Sequence, residues 1–86
     1  MAAEIILDGV KARINDQGNV SCDDAYTSIF INLALEEKLP HGVAGYLPNR
    51  ARTTALAIVE AFKEHGREAR IAFCDPAAKR DPHVIY

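Results

Sequence analysis

Pro40 divides this chain. A proline has no backbone N–H and restricts the residue before it, so a helix arriving from upstream ends there. The periodicity upstream is helical: Tyr26, Ile29, Phe30, Leu33 and Ala34 recur at the spacing of one buried face. Ser21-Cys22-Asp23-Asp24 offers a start, with Ser21 expected to accept from an orphan amide and the aspartates to complement the positive end of the helix dipole. The sequence therefore predicts a first helix ending at about Lys38. Ile31, Leu35 and Leu39 fall on a different side of it, at steps of four, and form a second apolar stripe.

Before this helix, Glu4 to Ile14 alternates in part, with a phase break at Asp8-Gly9 that reads as a bulge or bend within one strand. Asn15-Asp16-Gln17-Gly18-Asn19 is dense in turn formers, so the chain is expected to reverse there, and Val20 begins a short return strand. After Pro40, Val43 to Leu47 reads as a short buried strand closed by Pro48. Asn49 then caps a second helix over about 50–65, which Gly66 stops. Ala51, Ala55, Ile58, Val59 and Phe62 give that helix one apolar face. Ala69, Ile71 and Phe73 alternate with Arg70 and Ala72, the pattern of a strand. Two strands joined through a helix by short connections form a parallel crossover.

The expected fold is thus a small single α/β domain over residues 1–86. It has an N-terminal strand or hairpin, then helix, strand, helix and strand, with a mixed sheet of three to five strands and two helices. Residues 76–86 read as an irregular tail or a short edge strand at His83-Val84-Ile85-Tyr86. At 86 residues a second core is not expected, and a content of 49% apolar and 26% charged residues favours a folded globule over a disordered tail.

Charge is uneven. Residues 1–40 carry three basic and seven acidic side chains, residues 41–86 seven basic and five acidic, and the net of −2 is not that of a general nucleic-acid binder. Cys22 and Cys74 are distant in sequence and form no CxxC pair, and Met1 to Leu7 lacks a basic start and a long apolar run. A soluble cytoplasmic protein without a membrane span is the expectation.

In a parallel crossover the carboxyl ends of the strands and the amino end of the helix share one rim, where open α/β sheets bind ligands. Asn49, Arg50, Arg52, Thr53 and Asp75 are the candidate anion-binding residues there, with Tyr46 and Cys74 beside them. Two arginines in a first helical turn oppose the dipole unless an anion answers them. The segment lacks the glycines and the Gly-Lys-Ser/Thr ending of a phosphate loop. A metal site from Cys22, Cys74, His41 and His83 lacks local ligand pairing, so neither metal nor cofactor is expected.

With no catalytic constellation in the residues, the reading favoured is a non-catalytic interaction or regulatory module, a modulator or inhibitor of a larger protein. Its apolar contact, to that protein or to a second copy in a homodimer, is assigned to Ile31, Leu35 and Leu39. Nucleic acid or a phosphorylated ligand at the Arg50 and Arg52 rim is the alternative. A cysteine-dependent enzyme is the third reading and the least favoured.

Overall fold

The structure, a computed structural model, describes residues 3–43, 45 and 47–74. The chain forms β1 (Ala3–Leu7), β2 (Val10–Ile14), β3 (Val20–Ser21), α1 (Ala25–Lys38), α2 (Leu47–Glu64) and β4 (Ala69–Cys74). Four strands make one sheet in the order β3-β2-β1-β4, antiparallel at each pairing. The helices cover one face of it. A small α/β domain is what the sequence led us to expect, while the direction of the strands differs.

Asp8-Gly9 is a full reversal rather than a bend within a strand. Both residues have positive φ, 51° and 83°, and Leu7 pairs with Val10 across them. That is the geometry of a two-residue type I′ hairpin turn, which Asp-Gly favours because its backbone twist matches that of the flanking strands. The next reversal lies where the turn formers cluster. The Asn15 side-chain carbonyl accepts from Gln17 N and Asn19 N, each at 2.9 Å, and Ile14 pairs with Val20 beyond.

Among the described residues of the expected strand, Val43, Gly45 and Leu47, none is in a strand, which removes the parallel crossover. Gly42 and Gly45 adopt φ of 87° and 100°, outside the extended region, and Leu47 already opens α2. Pro48 thus sits in the first turn of a helix, a position that needs no N–H partner, instead of closing a strand. Asn49 consequently lies inside α2 and is not its cap. At the far end Gly66, at φ 77°, closes the helix as expected. Arg67 N bonds Phe62 O and Gly66 N bonds Lys63 O, which together satisfy the last carbonyls in a Schellman motif.

The core lies between the sheet and α2. Ala3, Ile5 and Leu7 of β1, with Ala12 and Ile14 of β2, point inward against Ala51, Ala55 and Ile58 of α2, all fully buried. The alanines let helix and sheet approach closely, and α1 packs chiefly against α2. In β4 the alternation is interrupted: Ile5 faces Ile71 while Glu4 faces Phe73, so a bulge absorbs Ala72. Ala69 and Ile71 therefore turn to the core, and Phe73 joins Arg70 on the open face, not Ile71 as simple alternation implies. Residues 76–86, read from the sequence as a tail or edge strand, lie outside the described residues.

Thr54 is fully buried on α2 and its hydroxyl has no hydrogen-bond partner among the described residues. Leaving a buried hydroxyl unpaired costs roughly 1 to 3 kcal/mol. Thr54→Val keeps the shape and removes that cost, so urea unfolding should show a stability gain of about 1 kcal/mol with an unchanged m-value.

Candidate functional site

Helix α1 is apolar on two sides, and the structure selects between them. Asp24 is its N-cap: Oδ2 accepts from Thr27 N at 2.9 Å and from Thr27 Oγ1 at 2.7 Å. The cap is therefore Asp24 rather than Ser21. These bonds hold the Asp24 carboxyl below its ordinary value of 3.8, the Thr27 hydroxyl contributing most and the Thr27 amide next.

Thr27, Ile31 and Ala34 are buried, and Leu35 packs partly buried against the core. Leu39 is half-buried. The stripe assigned to a partner, Ile31, Leu35 and Leu39, is thus turned inward. Of the stripe expected inside, Ala34 is buried as expected, while the four larger side chains stand out, with Tyr26 76%, Ile29 55%, Phe30 40% and Leu33 54% exposed. Both stripes have helical spacing, so periodicity does not choose between them. Size and charge do: small Thr27 and Ala34 admit close helix contact, and Lys38 on that side reaches Glu60 at 3.2 Å and Glu64 at 2.8 Å of α2. The two carboxylates, Glu64 before Glu60, raise the Lys38 ammonium above its ordinary value of 10.5.

Beside the exposed stripe runs a groove of about 490 Å³. Phe30, Leu33, Ala34 and Glu37 form its α1 wall; Ala61, Phe62 and His65 form its α2 wall. Arg67 completes it. The Arg67 guanidinium lies 4.2 Å from the Phe30 ring centroid and 5.6 Å from that of Phe62, and its Nε donates to Asp8 Oδ2 at 2.9 Å. Asp8 Oδ1 in turn accepts from Glu68 N at 3.0 Å. Arg67 therefore joins the first hairpin turn to both helices and holds Phe30 at the mouth of the groove. Across the opening His65 Nε2 stands 3.6 Å from Glu37 Oε1.

The rim residues lie at the other end of α2. Arg50 Nε donates to the Gly45 carbonyl at 2.6 Å, while Asn49, Arg52 and Thr53 are exposed. Asp75 and Tyr46 lie outside the described residues. α2 opens at Leu47 and has no acid in its first turn, so Arg50 stands against the dipole there, while Arg52 falls in the second turn and not in the first as expected. Cys22 and Cys74 are free and half-buried, and Cys22 makes only a weak contact, its Sγ 3.8 Å from Asp24 O. Among the described residues no three His, Cys, Asp or Glu side chains gather as a metal site, and no helix is long and apolar enough to cross a membrane. No protein family, curated protein or solved structure matches the chain.

Sequence reasoning missed the groove because Arg67 and Asp8 meet only in the fold. The Asp-Gly pair was the available signal, since a hairpin there brings Asp8 to the sheet end where a strand after Gly66 begins.

Two measurements check this account. Arg67→Ala should lose about 1 to 2 kcal/mol of stability in urea unfolding, and Arg67→Lys should recover little of it, since an ammonium lacks the planar fork and stacking face. For Asp24, a lowered folded pKa means the contribution is present above about pH 4 and is lost as pH falls through the folded value. The gap in thermal midpoint between the wild type and Asp24→Ala should therefore be widest near neutral pH and close toward about pH 2.

Proposed function

We propose that this protein is a non-catalytic binding module that docks on a larger protein through the outer stripe of α1 and the groove beside it, acting as a modulator or inhibitor of that partner. One observation carries the reading. Four large apolar side chains stand exposed on a single helix face, next to a groove whose lining is held in place by Arg67. A small domain gains nothing in folding from apolar groups left in water, and a contiguous exposed patch marks an interaction surface. Phe30 and Tyr26 are the residue types that dominate binding energy at such surfaces. Two free cysteines fit a reducing compartment, so we place the protein in the cytoplasm.

A second reading, nucleic acid or a phosphorylated ligand at Asn49, Arg52 and Thr53, draws on the absence of acids from the first turn of α2. Arg50 contributes less to it, because its Nε is occupied by the Gly45 carbonyl. Binding at that end would fall steeply with salt and depend on Arg52. A cysteine-dependent enzyme stays the least favoured reading: among the described residues, the hydrogen-bond contact of Cys22 is to the Asp24 carbonyl.

The test separates the two stripes of α1. Leu33→Asp should abolish capture of the partner from native lysate while changing the folding free energy by less than about 0.5 kcal/mol, as expected of a surface position. Leu35→Asp should instead destabilise the fold by about 3 kcal/mol or more, because it sends a charge into the helix contact. Partner capture that survives Leu33→Asp would remove this reading.

A further inference from the structure

We infer that the occupant of the α1 stripe and groove is an amphipathic helix of another protein whose apolar face is flanked by lysine or arginine. This rests on the docking reading above and specifies the chemistry of the partner.

The helical form follows from hydrogen bonding. The stripe and groove are built from side chains on two helices whose backbone groups are already paired within the helices, so they offer no ladder to an extended strand. A docked helix satisfies its own backbone and needs only apolar contact. Tyr26, Ile29, Phe30 and Leu33 recur at i, i+3, i+4 and i+7, the spacing at which two helices interdigitate.

The charge follows from what borders the stripe. Asp23 and Asp24 stand at its amino end, Glu36 and Glu37 at its carboxyl end, all exposed, although Asp24 also caps α1 and Glu37 faces His65 at 3.6 Å. Among the described residues, the cations beside the stripe are spent within the fold: Lys38 turns to Glu60 and Glu64 of α2, and Arg67 is answered by Asp8. The carbonyl end of α1 adds negative potential beside Glu36 and Glu37. A second copy does not fit this border. Antiparallel pairing of two α1 helices sets Glu36 and Glu37 against the other copy's aspartates, and parallel pairing sets each acidic end against itself. Both arrangements bring like charges together, which opposes association.

The full chain should be titrated with two synthetic amphipathic helices that share one Leu/Phe face, one flanked by lysines and one by glutamates, with fluorescence anisotropy as the readout. At low salt the lysine-flanked peptide should bind about tenfold or more tightly than the other, and the difference should narrow in about 0.5 M salt. Asp23→Lys combined with Glu36→Lys, two exposed positions without an ion pair among the described residues, should reverse the order. Leu33→Asp should abolish binding of both peptides. Equal binding of both peptides, lost on Leu33→Asp, overturns the basic partner and leaves the docking reading standing. Binding of neither, or binding that survives Leu33→Asp, overturns both. A dimer in light scattering that Leu33→Asp dissociates assigns the face to a second copy. Amide shifts at residues 79–86 in the free protein on Leu33→Asp assign it to the chain's own end. Either result overturns the inference.

Discussion

The contact between Arg67 and Asp8 ties together three parts of the chain on which the groove depends: the first hairpin turn, the approach to β4 and α1. Asp8 occupies a left-handed turn conformation, and its two carboxylate oxygens take one bond from a side chain and one from the backbone at the start of β4. The Asp8 amide donates back to Glu68 O at 2.8 Å. A turn closed by neighbours in sequence thereby receives an element sixty residues away. Because the same guanidinium stacks on Phe30, the position of α1 is tied to the register of the sheet. The buried side chains hold α2 on the sheet, and this planar cation adds a link from the first turn to α1.

The parts of the fold legible in sequence were those written in local chemistry. The end of α1 before Pro40, the stop at Gly66, the reversal at Asn15–Asn19 and the strand after Glu68 all depend on what one or two residues do to their own backbone. The errors arose where a residue has two local meanings. Pro48 ends a strand as readily as it begins a helix, and positive φ at Gly42 and Gly45 decides for the helix. Asp8-Gly9 suits a bulge or a hairpin, and only pairing across Leu7 and Val10 separates them. The two apolar stripes of α1 are equivalent by periodicity. Their sorting depends on side-chain volume against α2 and on where Lys38 finds acids, neither of which a single helix reveals.

The candidate site was legible in kind and not in place. A surplus of apolar surface on the first helix could be read from the residues, because one packing face accounts for only half of it. The anion rim rested on a crossover that does not form. Arg50 and Arg52 remain on the first turns of α2, away from the groove. The acidic excess of the first half also resolves into layers. Lys11 and Arg13 sit on the open face of the sheet, at 3.9 and 3.7 Å from Glu4, with Arg70 across from them on β4. The carboxylates of α1 lie on the helical side, away from that basic cluster.

The bulge that absorbs Ala72 reaches beyond the orientation of Phe73. β4 is the outermost described strand on its side of the sheet, and an outermost strand offers its unpaired amides and carbonyls to any extended chain that approaches. An extra residue in the middle breaks that row into two short stretches out of phase with each other. A chain that matched the first would miss the second. The irregularity that moves one aromatic ring to the surface thus also makes this described edge a poor template for a further strand.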